Sequence, residues 1–170
     1  EVLHVAEKAK LIQLCSAGFD GVNVALAGEL GIPVANNGGA NAIPVAEFAI
    51  TLALSTIRHL IVTDSDTRAG DWMRPEVDGR DSHELYGATV GIVGAGRIGS
   101  TVAGMLRGFE TETLYTDISR SEKAEGYGAE RVELNTLLQH SDIITLHTPL
   151  NSNTRGLIGK RELEKMKKSA

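Results

Sequence analysis

The sequence has 170 residues, of which 42% are hydrophobic, and a formal net charge of −5. The acidic balance excludes a broad basic face, so nucleic acid is not an expected partner. The longest apolar stretch, residues 43–57, is too short to cross a bilayer and contains Glu47, so a membrane is not an expected partner either. The single cysteine, Cys15, cannot form an internal disulfide; we expect a small buried side chain in a reducing cytoplasm.

The first 40 residues predict a strand at about 10–15, a short helix stopped by Gly31, and a short strand near Pro33–Ala35. A single long helix is predicted from Ala42 to about Asp71. One apolar stripe at i, i+3, i+4 spacing supports this helix: Val45, Phe48, Ala49, Leu52, Ala53, Thr56 and Leu60.

Strands alternate with short helices in the second half of the sequence, after a polar loop at 73–82. The strands are predicted at 89–93, 112–116, 129–132 and 142–146, and the helices at 97–107, 119–126, 133–140 and 159–168. Alternation of this kind indicates βαβ units and a parallel sheet.

A glycine motif lies between the first of these strands and its helix, in the segment GIVGAGRIGS. Gly94 would allow a tight turn, Gly96 would let a pyrophosphate approach the backbone, and Gly99 would let the helix pack closely on the sheet. The backbone N–H groups of Arg97 and Ile98, at the start of the helix, would face the phosphates.

An acidic residue follows the second strand at the position where a ribose-binding carboxylate is expected, because Asp117 lies 18 residues after Gly99. A carboxylate there accepts ribose hydroxyls and repels a 2′-phosphate, which favours NAD over NADP. Arg120 nearby weakens that preference slightly. In the alternative interpretation, the glycines only shape a turn and Asp117 only caps a helix.

Five segments in order resemble the D-isomer-specific 2-hydroxyacid dehydrogenases, a family that includes phosphoglycerate, D-lactate, glyoxylate and formate dehydrogenases. They are CSAGFDGVNV, NAIPVAEFAITLAL, RAGDW, ELYGATVGIVGAGRIGSTVA and SDIITLHTPLNSNTRGLI. The resemblance implies a Rossmann-type, doubly wound parallel sheet, incomplete here, and the end of a smaller flavodoxin-like α/β substrate domain. Residues 1–40 would belong to the substrate domain, and residues 41–170 to the interdomain helix and the NAD-binding domain.

The resemblance also implies roles for individual residues. The backbone amides of Ala17 and Gly18 would hold the carboxylate of a 2-hydroxy or 2-keto acid, and Asn41 would contact the same substrate. Thr148 and Pro149, after the fourth strand, would line the nicotinamide side of the cofactor site. The family's dimers imply a homodimer, with the long helix as a possible contact.

No catalytic residue is assigned in this sequence. In the family, an Arg, a Glu or Asp and a His perform the chemistry, and these come from segments that follow the helix at 159–168. We therefore expect no turnover from these 170 residues alone. All five histidines are interpreted as structural, and no metal-ligand cluster is predicted: His4, His59, His83, His140 and His147.

Two alternatives stay open at this point. Some relatives are non-catalytic NAD sensors or corepressors, and nothing in these residues excludes that function. A different NAD enzyme with a similar nucleotide fold, such as a relative of adenosylhomocysteinase, is disfavoured by the NAIPVAE and RAGDW segments. The sequence also leaves open which 2-hydroxy acid, or formate, is the substrate.

Overall fold

The computed structural model describes residues 8–71 and 82–170. The chain separates into two compact units, one of residues 1–41 with 149–157 and the other of residues 42–148 with 158–170. The predicted loop at 73–82 lies outside the described residues except for Ser82, as do Trp72 of the RAGDW segment and His4. The division into domains at residues 40 and 41 stays a prediction.

In the first unit, the described residues form two short parallel strands and one helix. Strand β1 (Ile12–Gln13) pairs with β2 (Val34–Ala35), and helix α1 (Val24–Glu29) connects them. The Asn23 side chain accepts a hydrogen bond from the amide of Leu26 at 3.0 Å and caps α1. Strand β1 is shorter than the predicted 10–15.

The long helix predicted from residue 42 to residue 71 is two helices, α2 (Ala42–Ile57) and α3 (Leu60–Ala69), and the prediction of one helix is wrong. His59 between them has the left-handed backbone conformation (φ 49°), which redirects the chain by 62°. Neither Pro nor Gly marks this break, so the sequence pattern carries no sign of it.

Helix α2 buries a face that only partly overlaps the predicted stripe, with which it shares Ala49. Ala46 is completely buried, and Ala49, Ile50, Leu54 and Ile57 pack beside it on the core of the second unit. Phe48, which belongs to the predicted stripe, is 61% exposed. The helix is apolar around most of its circumference, so its periodicity alone could not select the buried face.

A four-stranded parallel sheet forms the centre of the second unit, in the order β5-β4-β3-β6. The strands are β3 (Thr89–Val93), β4 (Glu112–Thr116), β5 (Glu130–Arg131) and β6 (Ile143–Leu146). The other helices are α4 (Arg97–Leu106), α5 (Glu122–Gly126), α6 (Leu134–His140) and α7 (Lys160–Leu163).

This arrangement confirms the predicted α/β class. Numbered along the chain, the strands run third, second, first, fourth, which matches the first four strands of the doubly wound order 3-2-1-4-5-6. The bounds of β3 and β4 match the predicted 89–93 and 112–116, whereas the last helix is much shorter than 159–168. The core lies around β3, β4 and α4, where Ile92, Leu106 and Tyr115 are at most 1% exposed.

Within the described residues, no single helix is long and apolar enough to cross a bilayer. Only α2 and α3 taken together pass that test of length and composition, as a pair bent by 62°.

Candidate cofactor site

The turn after β3 is held by close packing at two of its glycines. Gly94 has φ 93°, and a Cβ there would lie 2.9 Å from the carbonyl carbon of His147. A Cβ at Gly99 would lie 2.1 Å from the carbonyl oxygen of Gly94. Both positions therefore exclude a side chain for reasons internal to the fold.

Gly96 differs from both, because a Cβ there would meet no atom within 4 Å. Its backbone is extended (φ −69°, ψ −152°), a conformation open to other residues, so the fold itself does not require glycine at this position. Gly96 precedes α4, whose N-terminus no side chain caps. The open space and the uncapped helix start together fit a pyrophosphate.

Arg97 and Ile98 form the first turn of α4, directly after Gly96. Arg97 is exposed and Ile98 is half-buried, so the start of the helix borders on open space. Their placement suits the predicted contact of the helix N-terminus with phosphates, which stays a prediction.

The Asp117 carboxylate faces the glycine turn. Its Oδ2 accepts a hydrogen bond from the amide of Ala95 at 2.7 Å, and its Oδ1 accepts one from the amide of Ser119 at 3.2 Å. A carboxylate has about four lone-pair sites, so two amide donors leave acceptor capacity for ribose hydroxyls. The structure therefore brings the acid and the turn together, as the sequence spacing predicts.

The segment after β6 forms the other side of the turn. The amide of His147 donates to the carbonyl of Val93 at 2.8 Å, and Thr148 Cγ2 would lie 2.9 Å from a Cβ at Gly94. The His147 ring shares a hydrogen bond of 2.9 Å with the hydroxyl of Thr145. Burial lowers the pKa of His147, so the ring is neutral at pH 7.

Pro149 is exposed and belongs to the first unit. Its carbonyl accepts a hydrogen bond from the Thr154 hydroxyl. The structure brings Thr148 to the glycine turn, and the role predicted for Pro149 stays a prediction.

In the first unit, the predicted substrate turn follows β1 and is held through its carbonyl groups. The Asn36 side chain donates to the carbonyl of Ala17, and the Ser16 hydroxyl to the carbonyl of Gly18, both at 2.8 Å. Within the part of the chain that the structure describes, neither the Ala17 nor the Gly18 amide donates a hydrogen bond. Both amides are therefore suited to an anion.

Two other residues of the first unit were singled out in the sequence. Asn41 is exposed and lies directly before α2. Cys15 is exposed, so the expectation of a buried side chain is wrong. The strand β1 ends two residues earlier, and Cys15 therefore lies in the turn rather than in the core.

Sequence reasoning missed the residues that hold the loop between β4 and α5. The Ser121 hydroxyl donates to the carbonyl of Ala95 at 2.7 Å, and the hydroxyl of the buried Tyr115 donates to Glu125 at 2.8 Å. Ser121 directly precedes α5, but the predicted helix at 119–126 contains it, so the sequence prediction did not mark it as the start of the helix. Among the described residues, no group of three or more His, Cys, Asp or Glu could hold a metal ion.

The sequence profile of "D-isomer specific 2-hydroxyacid dehydrogenase, NAD binding domain" matches residues 50–170. The chain belongs to this family. The glycine turn and Asp117 both lie inside the matched segment, and NAD is the cofactor of this domain.

Relatives with assigned names support the same family. The chain is 37% identical to a glyoxylate reductase of Thermococcus litoralis, covering all of this chain and 53% of that one. It is 39% identical to a D-3-phosphoglycerate dehydrogenase of Archaeoglobus fulgidus, covering 98% of this chain and 31% of that one. The chain thus spans about half of the length of the first relative and a third of the second.

Solved structures share the fold. A D-lactate dehydrogenase of Aquifex aeolicus, complexed with NAD and lactic acid, superposes with a TM-score of 0.85 at 29% identity. The superposition covers 93% of this chain and 47% of that one. The fold similarity extends to a dehydrogenase family member whose crystal contains the cofactor.

Proposed function

We propose that this chain binds NAD at the turn from Gly94 to Gly99 and serves an oxidoreductase that acts on the CH–OH group of a 2-hydroxy acid. One observation carries the proposal: the fold leaves the side-chain position of Gly96 open at an uncapped helix start, beside a carboxylate that faces the same turn. The helix start would bind the pyrophosphate, and Asp117 would accept the hydroxyls of the adenosine ribose.

The nicotinamide side of the site would be formed by Thr148 and Pro149. In support, Thr148 lies against Gly94 at the point where the strand order reverses between β3 and β6. Open α/β sheets bind ligands at the carboxyl ends of their strands at such a point.

The substrate would be a 2-hydroxy or 2-keto acid, held by its carboxylate on the amides of Ala17 and Gly18, with Asn41 as a further contact. The two amides without an acceptor among the described residues support this assignment. Bound NAD would exchange a hydride with C2 of the substrate. The relatives named for glyoxylate, phosphoglycerate and lactate support the class of substrate without selecting one member.

We expect these 170 residues alone to show no turnover. The ring of His147, in the segment that contacts the turn, is hydrogen-bonded to the hydroxyl of Thr145 and not to a carboxylate. NADH production would be followed at 340 nm with lactate, glycerate, 3-phosphoglycerate and glycolate. Steady production above the rate without protein would contradict this expectation.

The binding site is tested by ¹H–¹⁵N NMR on the 18.1 kDa chain. NAD⁺ should shift the amide signals of Gly94 to Gly99 and of Ser119, which donates to Asp117. Nicotinamide mononucleotide, which lacks the adenosine ribose, should leave the Ser119 signal in place. Shifts confined to other parts of the chain would contradict the proposed site.

We further propose a homodimer in a cytoplasmic compartment. Exposed apolar side chains on α2 and α3 support the homodimer, since Ile43, Phe48 and Ile61 are 60%, 61% and 76% exposed. The exposed free thiol of Cys15 supports a reducing compartment. Sedimentation equilibrium tests the dimer, and a monomer at all concentrations would contradict it.

A further inference from the structure

Arg120 is the cation closest in sequence to Asp117, and a cation at this position would favour the 2′-phosphate of NADP. The loop that carries it is fixed to the glycine turn at both sides of Arg120. Asp117 accepts from the amide of Ala95 at 2.7 Å, and Ser121 donates to the carbonyl of the same residue at 2.7 Å. Arg120 therefore lies between two residues that are anchored at the mouth of the proposed site.

The charge of Arg120 is paired within this loop and the following helix. Its Nε lies 2.7 Å and its Nη2 lies 2.6 Å from Oε2 of Glu125, in α5. The Arg120 side chain is 71% exposed and that of Glu125 is 24% exposed. Solvent screens the exposed guanidinium of this pair, so its contribution to stability is small.

Glu125 is itself held by the core. Its Oε1 accepts a hydrogen bond of 2.8 Å from the hydroxyl of Tyr115, which is completely buried in β4. The Tyr115 hydroxyl also accepts from the amide of Ser121 at 3.0 Å. The hydrogen bonds from Arg120 and Tyr115 lower the pKa of Glu125, so its negative charge persists at neutral pH.

We infer that Glu125 is a positioning residue for cofactor specificity. By holding Arg120 in a neutral ion pair, it removes one cation that would attract a 2′-phosphate; Arg131, whose Nη2 donates to the carbonyl of Asp117 at 3.0 Å, is a second cation near this end of the site. Two effects then favour NAD⁺ over NADP⁺: Asp117 repels the 2′-phosphate, and the pairing of Arg120 with Glu125 withholds a cation from it. The inference rests on the proposed placement of the adenosine ribose at Asp117.

The test compares the dissociation constants of NAD⁺ and NADP⁺ in the 170-residue chain with three variants: Glu125→Gln, Arg120→Met, and both together. Glu125→Gln should lower the ratio of the NADP⁺ constant to the NAD⁺ constant by about five- to tenfold, since it frees one charge near the phosphate. The double variant should return the ratio to the wild-type value, because the freed cation is absent. Arg120→Met alone should keep the ratio at or above the wild-type value, since it leaves the Glu125 carboxylate unpaired.

A purely structural role for Glu125 would weaken both cofactors equally and leave the ratio unchanged, and that result would overturn the inference. A lowered ratio that persists in the double variant would also overturn it. These outcomes are distinct from a failure of the proposed function: in that case NAD⁺ would not shift the Ser119 amide of the unchanged chain, and both proposals would fall together.

Discussion

The glycine-containing turns after the parallel strands β1 and β3 contain glycine for different reasons. In the turn after β3, Gly94 and Gly99 are required by the backbone, because an added Cβ would lie within 3 Å of backbone atoms. In the turn after β1, a Cβ at Gly18 would meet only the Oδ1 atom of Asp20, at 3.1 Å, which can move. Gly96 resembles Gly18 more than it resembles Gly94 and Gly99, because a Cβ added at Gly96 would meet no backbone atom.

We propose that this difference separates glycines that build the fold from glycines that would serve a ligand. Where the fold alone demands glycine, substitution should reduce stability. Where the fold makes no such demand and the glycine borders on a proposed binding site, substitution should spare stability and reduce binding.

The largest expected effect is that of Gly99→Ala on stability. Its Cβ would overlap the Gly94 carbonyl, so the helix and the turn must both move, at a cost of about 3 kcal/mol or more in the free energy of unfolding. Gly96→Ala should cost less than about 0.5 kcal/mol. Urea denaturation measures both, and equal losses would contradict the distinction.

Removal of the Asp117 carboxylate should have the next largest effect. Ala95 is 4% exposed, and its amide would lose its acceptor in Asp117→Ala. We expect a loss of about 1–3 kcal/mol in the free energy of unfolding. Asp117→Asn keeps an acceptor oxygen and should lose less, so an Asn variant as unstable as the Ala variant would contradict the assigned hydrogen bond.

The pH dependence of stability should report the buried ring of His147. Its folded pKa lies below its ordinary value of 6.5, so the unfolded chain binds the proton more readily. Stability should therefore fall as the pH decreases through 6.5 towards the folded pKa, and the loss should then level off. In urea denaturation at several pH values, His147→Gln should lack this loss of stability at low pH. A His147→Gln variant with the same pH dependence as the unchanged chain would contradict this prediction.

The smallest expected effect belongs to the first unit. Gly18→Ala should change the free energy of unfolding by less than about 0.5 kcal/mol, because its only close neighbour is a flexible side-chain atom. Gly31→Ala is the matched control. Gly31 has φ 68°, so this substitution should lower the free energy of unfolding by about 1 kcal/mol. If Gly18→Ala lost more unfolding free energy than Gly31→Ala, Gly18 would be a glycine that the fold requires, which would contradict this prediction.

The sequence predicts well what depends on short-range patterns. Buried strands next to a glycine motif gave the bounds of β3 and β4, and the spacing to Asp117 gave the position of the acid. The bend at His59 could not be predicted, because neither Pro nor Gly marks it. The buried face of α2 could not be predicted either, because the helix has apolar residues around most of its circumference. The pairing of Arg120 with Glu125 depends on a hydroxyl from the buried strand β4, which no local pattern reveals.

The central claim is that the open position at Gly96 exists to receive the diphosphate of NAD. The most direct test compares the NAD⁺ affinity of Gly96→Val with that of the control variant Gly108→Val. Gly108 follows the opposite end of α4 and is equally open to an added Cβ. We predict that Gly96→Val loses at least about tenfold in affinity, or about 1.4 kcal/mol, while both variants keep similar unfolding midpoints and Gly108→Val binds as the unchanged chain does. Equal affinities for the two variants would contradict the claim.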